Sequence, residues 1–532
     1  MTRFLAWLLL PNVAAATDLK TGFKEASAGE IRWLETNAGK WIVDIGQAAV
    51  APKKQASRRQ PNVLLIVSED NGPELGCYGD PYARTPHLDR LAREGVRFNT
   101  AWVPYSVCSP SRACFLTGRH PHRNGQLGLA THKFAMFKKW PNIFSLLKDA
   151  GYRTALLGKI HVNPESAFPL DLHWNPSALI SFAKRDVRRI AKKAGEFMRA
   201  GEKPFVMSVN YPDAHYPLHR QLNGLPTFPQ TAADVKALPW IGVDNERLRG
   251  HVADYYNCLS RLDTGVGLLL DELENSGKAD DTLVIYLGDH GAQFSRGKTS
   301  TYEAGLRIPL IIRQPGRTKP GHVVRELTSS LDILPTVLAA TGVKPPPGLD
   351  GRNLHPLMNG RFVRWRKHLF AHKMGAAAHF YYPQAAIRDS RYKLIANPLR
   401  RPNPTAKIYA ENNGTFFIAG TRPEEVAAAP PLIQKTYATY HNPPPLELYD
   451  LQTDPHEFNN LADNPEHAAV QARLLARLRQ WQRDTGDLMF DPQALARYTK
   501  EIDEAAARKP FLSYRRDKTF RWPYLEWLQP KP

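Results

Sequence analysis

The sequence predicts an α/β fold, a sandwich of helices around a large, mostly parallel sheet, followed by a smaller α+β region. Three observations carry this reading. Continuously apolar, β-branched runs alternate with helical patterns, residues able to do chemistry cluster where those runs stop, and the texture of the chain changes past residue 345.

The first run, Val63-Leu64-Leu65-Ile66-Val67, has the character of a strand buried on both faces, and it ends in Ser68-Glu69-Asp70-Asn71. Thr85-Pro86 opens a helix with Leu88, Leu91 and Ala92 on one side, and Gly95 closes it. A helix from Asn142 to Ala150 with Gly151 as its stop precedes a strand from Arg153 to Leu157. A strand from Phe205 to Val209, a long helix around Leu248 to Leu273 and a strand from Thr282 to Leu287 continue the alternation. Past Lys344-Pro345-Pro346-Pro347 the order loosens, with Pro402 to Pro404 and Pro443 to Pro445 as interruptions. This region holds a strand at Arg391 to Ile395 and an amphipathic helix from Pro465, with Val470, Leu474, Leu475, Leu478 and Trp481 on one side. The division predicted is residues 61–345 and a smaller region, 346–532, bordering the same pocket.

Composition limits the function. A chain of 532 residues, 42% apolar and 23% charged, can bury a substantial core, which excludes both disorder and a membrane bundle. The net charge of +20 favours anionic substrates or polyanionic partners. The basic residues are scattered and match no nucleic-acid-binding pattern, so a nucleic-acid partner is not expected. Cys77, Cys108, Cys114 and Cys258 are too few for a disulfide framework, and none forms a Cys-x-x-Cys pair. The apolar run Phe4 to Leu10, stopped by Pro11 and followed by Ala14-Ala15-Ala16, reads as a signal peptide over residues 1–16, with 17–60 as a lead-in. Export to a periplasm or the exterior is the corresponding expectation. No other stretch approaches the ~20 apolar residues of a membrane span. Oligomeric state cannot be read from these residues.

Ligands of open α/β sheets bind beyond the carboxyl ends of the strands. Glu69 and Asp70 follow the first strand, Lys159 and His161 another, His215 the third, and Asp289-His290-Gly291 the fourth. Between them lies Cys108-Ser-Pro-Ser-Arg112-Ala-Cys-Phe-Leu116-Thr117-Gly118-Arg119. Pro110 suits the first turn of a helix ending at Gly118, which puts Cys108 where free amide groups meet an anion. Arg112 lies one turn on, able to fork onto two oxygens of a tetrahedral anion. Cys114 sits deeper in the helix and reads as a small core residue.

The Cys108-Ser-Pro-Ser-Arg112 and Leu116-Thr117-Gly118-Arg119 segments resemble the signature of the type I sulfatases. Further matches follow in order: Glu69-Asp70, Thr85-Pro86-His-Leu-Asp89, Gly158-Lys159-Ile160-His161, Ala214-His215-Tyr216-Pro217, Gly288-Asp289-His290-Gly291 with Lys298, Leu331-Asp332-Ile-Leu-Pro335-Thr336, and Glu447-Leu448-Tyr449-Asp450 with Asp454-Pro455. Gly158 to Glu165 and the spacing from Asp289 to Gly297-Lys298-Thr299 are most similar to the heparan N-sulfatases (N-sulfoglucosamine sulfohydrolases).

The resemblance implies an alkaline-phosphatase-like fold and a hydrolase of sulfated carbohydrate that removes an N-linked or an O-linked sulfate, with N-sulfoglucosamine of heparan sulfate or heparin type the foremost candidate substrate. It implies that a maturation enzyme oxidises Cys108 to formylglycine, whose hydrate attacks sulfur. Glu69, Asp70, Asp289, His290 and residue 108 itself would bind one divalent cation, calcium in this family. Arg112 would orient the hydrate, and Lys159 and Lys298 would hold sulfate oxygens. His161 would take a proton as sulfate is expelled, and His215 would protonate the departing atom. His372, His379, Arg388 and Arg391 are candidates for reading the sugar.

Two departures bear on this. Glu69 replaces the usual aspartate, and His290 stands where sulfatases have asparagine; imidazole suits manganese or zinc better than calcium. Asp-His resembles the related phosphonate monoester and phosphodiester hydrolases, which form the alternative reading. A noncatalytic protein that holds sulfated glycans by charge is the alternative of another class.

Overall fold

Val63, Leu65 and Val67 pack into one hydrophobic layer, Leu64 and Ile66 into another, and all five are fully buried. That two-sided burial explains why the strand reads as an unbroken apolar run rather than an alternating one. The computed structural model describes residues 60–176, 184–411 and 417–529. It also gives a separate antiparallel strand pair, Ile31–Glu35 with Trp41–Ile45. The signal-peptide reading of residues 1–16 lies outside the described residues.

The main sheet has eight strands, in the order His322–Val324, Val96–Phe98, Leu310–Arg313, Thr282–Gly288, Asn62–Ser68, Phe205–Tyr211, Arg153–Leu157, Leu172–Trp174. Leu310–Arg313 runs antiparallel to both its neighbours, and every other pairing is parallel. This is the mixed, mostly parallel sheet the alternating pattern predicts. One face is covered by helices Pro86–Glu94, Val187–Arg199 and Glu246–Asn275. The other is covered by helices Cys108–Thr117, Ile143–Asp149 and Ile333–Thr341. Asn142 caps its helix, its side chain accepting from the amides of Phe144 and Ser145 at 3.1 Å.

The later part of the chain forms a four-stranded antiparallel sheet, Leu369–Lys373, Gln384–Arg388, Tyr392–Ala396 and Leu446–Asp450. The helix read from Pro465 begins as a single 3-10 turn, Pro465–His467, and continues as Ala468–Thr485. Its Leu474, Leu478 and Trp481 bury against Ala385, Ile387, Leu394 and Leu448 of this sheet. Ala386, Ile395 and Tyr449, on the opposite face, join the same hydrophobic cluster as Leu64 and Ile66 of the main sheet. These contacts join the two sheets in one compact unit, and the proline-rich stretch at 345–347 is a surface loop within it. Pro404, which reads as an interruption, instead opens a helix, Pro404–Glu411, where its missing amide costs nothing. Among the described residues no helix is long and apolar enough to cross a membrane.

Candidate active site

Four neighbouring strands stop at nearly one level. Ser68 pairs with Tyr211 on one side and Gly288 on the other, and Leu157 is opposite Val209. The residues that follow them, Glu69 and Asp70, Asp289 and His290, Pro212 to His215, and Gly158 to His161, are thereby brought to one edge of the sheet. Asp70 and His161 have left-handed backbones, at φ 52° and 57°, as does Thr299 beside Lys298, at 64°. Non-glycine residues held there carry strain that the surrounding structure must support, a pattern typical of functional sites. Gly158 has φ 97°, and a side chain there would meet the Asn210 carbonyl oxygen at 2.8 Å. The glycine lets the chain turn from strand to Lys159 directly beside the neighbouring strand.

Cys108 is the first residue of its helix, with Val107 extended before it and Gly118 closing it in the left-handed conformation. The expected bounds hold. Phe115, Leu116 and Ala113 anchor the helix in the core, so its N-terminal turn is fixed at the strand ends. Ser111 Oγ donates to the Asp289 carbonyl, and Ser109 Oγ accepts the Ala130 amide at 2.9 Å. Cys108 Sγ is buried, 3.2 Å from His290 Nε2 and 3.9 Å from Asp70 Oδ1. Cys114 is fully buried in the helix, and burial pushes its thiol well up, as befits a core residue. All four cysteines are free thiols.

Three buried carboxylates converge on Cys108, each met by a cation. Lys298 Nζ donates to both oxygens of Asp70 at 2.8 Å, and Lys159 Nζ to Glu69 Oε2 at 3.0 Å. Arg112 binds Asp289 Oδ2 through Nε and Nη2, both at 3.1 Å, and reaches Glu69 Oε1 at 3.3 Å. For Asp289, His290 and Asp70 burial works against charge and the neighbouring opposite charges work for it. Burial would raise Asp289, but His290 and Arg112 bring it down to about 2. Burial would lower His290, but Asp289, Cys108 and Asp70 raise it to about 9. For Asp70 burial prevails over Lys298, and its carboxyl lies above the usual range.

His161 and His215 behave differently. Burial, then Lys159, Arg112 and Lys298, hold His161 well below the ordinary histidine range; burial, then Lys298 and Lys159, do the same for His215. Both rings are neutral. His215 Nδ1 donates to the Tyr216 carbonyl at 2.7 Å, which puts the ring's lone pair on Nε2. Neither nitrogen of His161 has a hydrogen-bond partner.

These groups form a site that fits a divalent cation. Asp70, Cys108 and His290 present ligand atoms within 4.8 Å of one another, as do Glu69, Cys108 and His215, and Glu69 Oε1 is a buried acceptor without a hydrogen bond. Hard carboxylate oxygens suit calcium; the imidazole beside them widens the choice toward manganese or zinc.

Sequence reasoning missed Asn210, whose Oδ1 accepts from Arg112 Nη1 at 2.7 Å and whose Nδ2 donates to the Leu157 carbonyl at 3.2 Å. A lone amide near the end of an apolar strand was the available signal. The structure does not bring all the proposed sugar readers to the cluster. His372 is buried beside His122 and Asp487; Arg388 is tied to Glu303 at 2.7 Å and stacks over Trp102; Arg391 pairs with Asp450 at 2.7 Å. Arginine and histidine in an irregular region read as ligand-facing, and buried pairing is what the sequence could not reveal. His379 sits 6.0 Å, ring to ring, from His132, one of the charges felt by His161.

The mixed sheet thus carries, at its strand ends, a buried, cation-rimmed cysteine and a carboxylate cluster, a set of groups suited to hydrolysis of an anionic substrate. The chain belongs to the sulfatase family: the Sulfatase family model matches residues 61–343, and the one described as N-sulphoglucosamine sulphohydrolase, C-terminal, matches residues 288–401. It is a sulfatase, and the noncatalytic alternative falls away. The human N-sulphoglucosamine sulphohydrolase is 31% identical over 470 residues, covering 81% of this chain and 91% of that protein. The fold matches a solved enzyme in complex with its substrate D-glucosamine-2-N,6-O-disulfate, with TM-score 0.57, 21% identity, and 81% and 99% of the two chains covered. It also matches the phosphonate monoester hydrolase of Agrobacterium radiobacter, with TM-score 0.58, 21% identity, and 80% and 96% covered.

Proposed function

We propose that this sulfatase removes N-linked sulfate from glucosamine units of heparan-type sugars, with Cys108 matured to formylglycine. The match to N-sulphoglucosamine sulphohydrolases along both the sheet-bearing part and the region after residue 288 supports this reading most. The sulfated sugar and a maturation enzyme are its partners, and export is the reading of residues 1–16.

A hydrated aldehyde at position 108 supplies the oxygen nucleophile, at a helix N-terminus that favours negative charge. Glu69, Asp70, Asp289 and His290 would hold a divalent cation, which when bound would offset the charge of sulfate and nucleophile. Arg112 is fixed by Asp289, Asn210 and the Lys159 carbonyl, 3.0 Å away, and so orients residue 108 with little freedom to move. Lys298 and Lys159 border the same space and hold sulfate oxygens as charge builds on the leaving side. His161, neutral and without a hydrogen bond, accepts the proton released from residue 108 as sulfate departs. His215, its Nδ1–H committed to the Tyr216 carbonyl, relays a proton through Nε2: the Nε2 lone pair first takes up a proton from solvent and then passes it to the leaving nitrogen.

One observation favours a second reading. His290 Nε2 lies 3.4 Å from Asp70 Oδ1 as well as 3.2 Å from Cys108 Sγ, a nitrogen donor inside the cation cluster, which suits a phosphonate monoester hydrolase using manganese or zinc. Comparing kcat/KM for N-sulfoglucosamine, glucosamine 6-O-sulfate and a phenylphosphonate ester, each with calcium, manganese and zinc, tests both. N-sulfoglucosamine is expected to lead, with free amine and sulfate formed in equal amounts. A lead for the phosphonate ester with manganese or zinc would overturn the proposal.

A further inference from the structure

Away from the Cys108 cluster, a second group of metal-ligating side chains is buried with its polar atoms unspent. His122 lies in the short turn Pro121–Asn124 just past the Cys108 helix, His372 on the strand Leu369–Lys373, and Asp487 after the helix Ala468–Thr485. Each offers a ligand atom within 4.8 Å of the others, and they are 3%, 1% and 2% exposed. Neither ring nitrogen of His122 or of His372 has a hydrogen-bond partner, and His372 Nδ1 stands 3.6 Å from Asp487 Oδ2. Three buried imidazole nitrogens without a partner, and a fourth with only a carboxylate oxygen 3.6 Å away, carry a desolvation cost that a bound ion would offset.

The surroundings hold these rings in place. Trp481 stands edge-on to His122 at 5.3 Å and to His120 at 5.0 Å, and Tyr105 edge-on to His372 at 5.7 Å. Asp487 is fixed by the Met489 amide at 3.2 Å and by Gln482 Nε2 at 3.3 Å. His120, stacked 5.6 Å from His122, has a buried Nδ1 that is likewise without a partner.

We infer that His122, His372 and Asp487 form a structural metal site of the zinc class, with His120, stacked on His122, the side chain that would complete four-coordination. Two imidazoles and a carboxylate are the donors zinc takes, and an apolar, closed setting is where structural zinc sits. The ion would join the exit of the catalytic helix, the second sheet and the segment after the last sheet-packing helix. It is distinct from the catalytic cation in its ligands, since His122, His372 and Asp487 share no residue with the groups around Cys108.

Crystals of the full chain grown with zinc chloride, measured just above and below the zinc absorption edge, locate the ion directly. An anomalous peak bounded by His122, His372 and Asp487 is expected. A zinc peak only beside Cys108, or none, would overturn the inference. In solution, zinc should raise the unfolding temperature of wild type after chelator treatment and should raise that of His122→Gln and His372→Gln less. Equal zinc shifts in all three would count against the site. Should either variant fail to fold, the anomalous map of wild type still decides.

Discussion

Lys298 and Asp70 meet through both carboxylate oxygens, at 2.8 Å each, in a pair closed to solvent. Asp70 is strained into the left-handed region, and Lys298 precedes Thr299, which is strained likewise. Lys298 is held further by burial-resisting charges, Asp70 first and Cys108 next, so it stays protonated throughout the working range. Replacing it with methionine keeps the length and removes the charge. Turnover of Lys298→Met should fall by about 10²- to 10⁴-fold, read as kcat for sulfate release, and a variant within a few-fold of wild type would remove Lys298 from the mechanism.

Gly158 is the turn that lets Lys159 and His161 leave their strand. A methyl group there meets the Asn210 carbonyl at 2.8 Å, on a backbone at φ 97°. Asn210 and the Lys159 carbonyl both hold Arg112 Nη1. Gly158→Ala should cost about 1–3 kcal/mol of stability and should lower kcat as well, because displacing the Asn210 backbone and the adjoining Lys159 shifts the Asn210 Oδ1 and Lys159 carbonyl that hold Arg112. Thermal unfolding beside kcat checks this; an unchanged melting temperature would refute it.

Arg261 Nε donates to Asp213 Oδ1 at 2.6 Å, with both side chains fully buried, and Arg185 donates to the carbonyls of Asp213 and His215 at 2.7 and 2.8 Å. These two arginines hold the loop that carries His215. Removing one partner leaves a buried, uncompensated charge, so Arg261→Met should destabilise the fold by about 3–5 kcal/mol. Urea denaturation of the two proteins measures it.

Asp263, on the long helix, accepts the amides of His87 and Leu88 at the start of the Pro86 helix, at 3.2 and 2.8 Å. Burial raises its pKa from 3.8 to about 7, the two amides oppose that rise, Asp89 adds to it and Arg90 opposes it. The folded chain therefore holds a proton that the unfolded chain releases at lower pH. Its contribution is fully present below pH 3.8 and is lost as pH rises through about 7. Asp263→Asn keeps an acceptor and cannot ionise. Stability of the variant relative to wild type should increase by on the order of 2–4 kcal/mol between pH 4 and pH 8; denaturation at both pH values tests the sign.

Much of this was readable in the sequence because the strands are buried on both faces and end where their ligands begin. The Asn62–Ser68, Phe205–Tyr211 and Thr282–Gly288 strands each extend the expected run by one or two residues, all but Asn62 at the carboxyl end beside the site. Cys108, Arg112 and their helix followed from Pro110 and Gly118, since caps and turns are local. Long-range pairing was hidden. Nothing near Arg388 announces Glu303, and nothing near His372 announces Asp487, because those partners arrive from distant parts of the chain. For the same reason Asn210 went unnoticed until Arg112 was seen against it.

In the proposed mechanism an oxidised Cys108 performs the chemistry. Preparations expressed with different amounts of maturation enzyme, scored for the aldehyde by mass spectrometry of the peptide containing residue 108, give the direct test. Sulfate release from N-sulfoglucosamine per mole of protein should rise in proportion to the aldehyde fraction and vanish in Cys108→Ala. Equal turnover from protein carrying only unmodified cysteine would contradict the account.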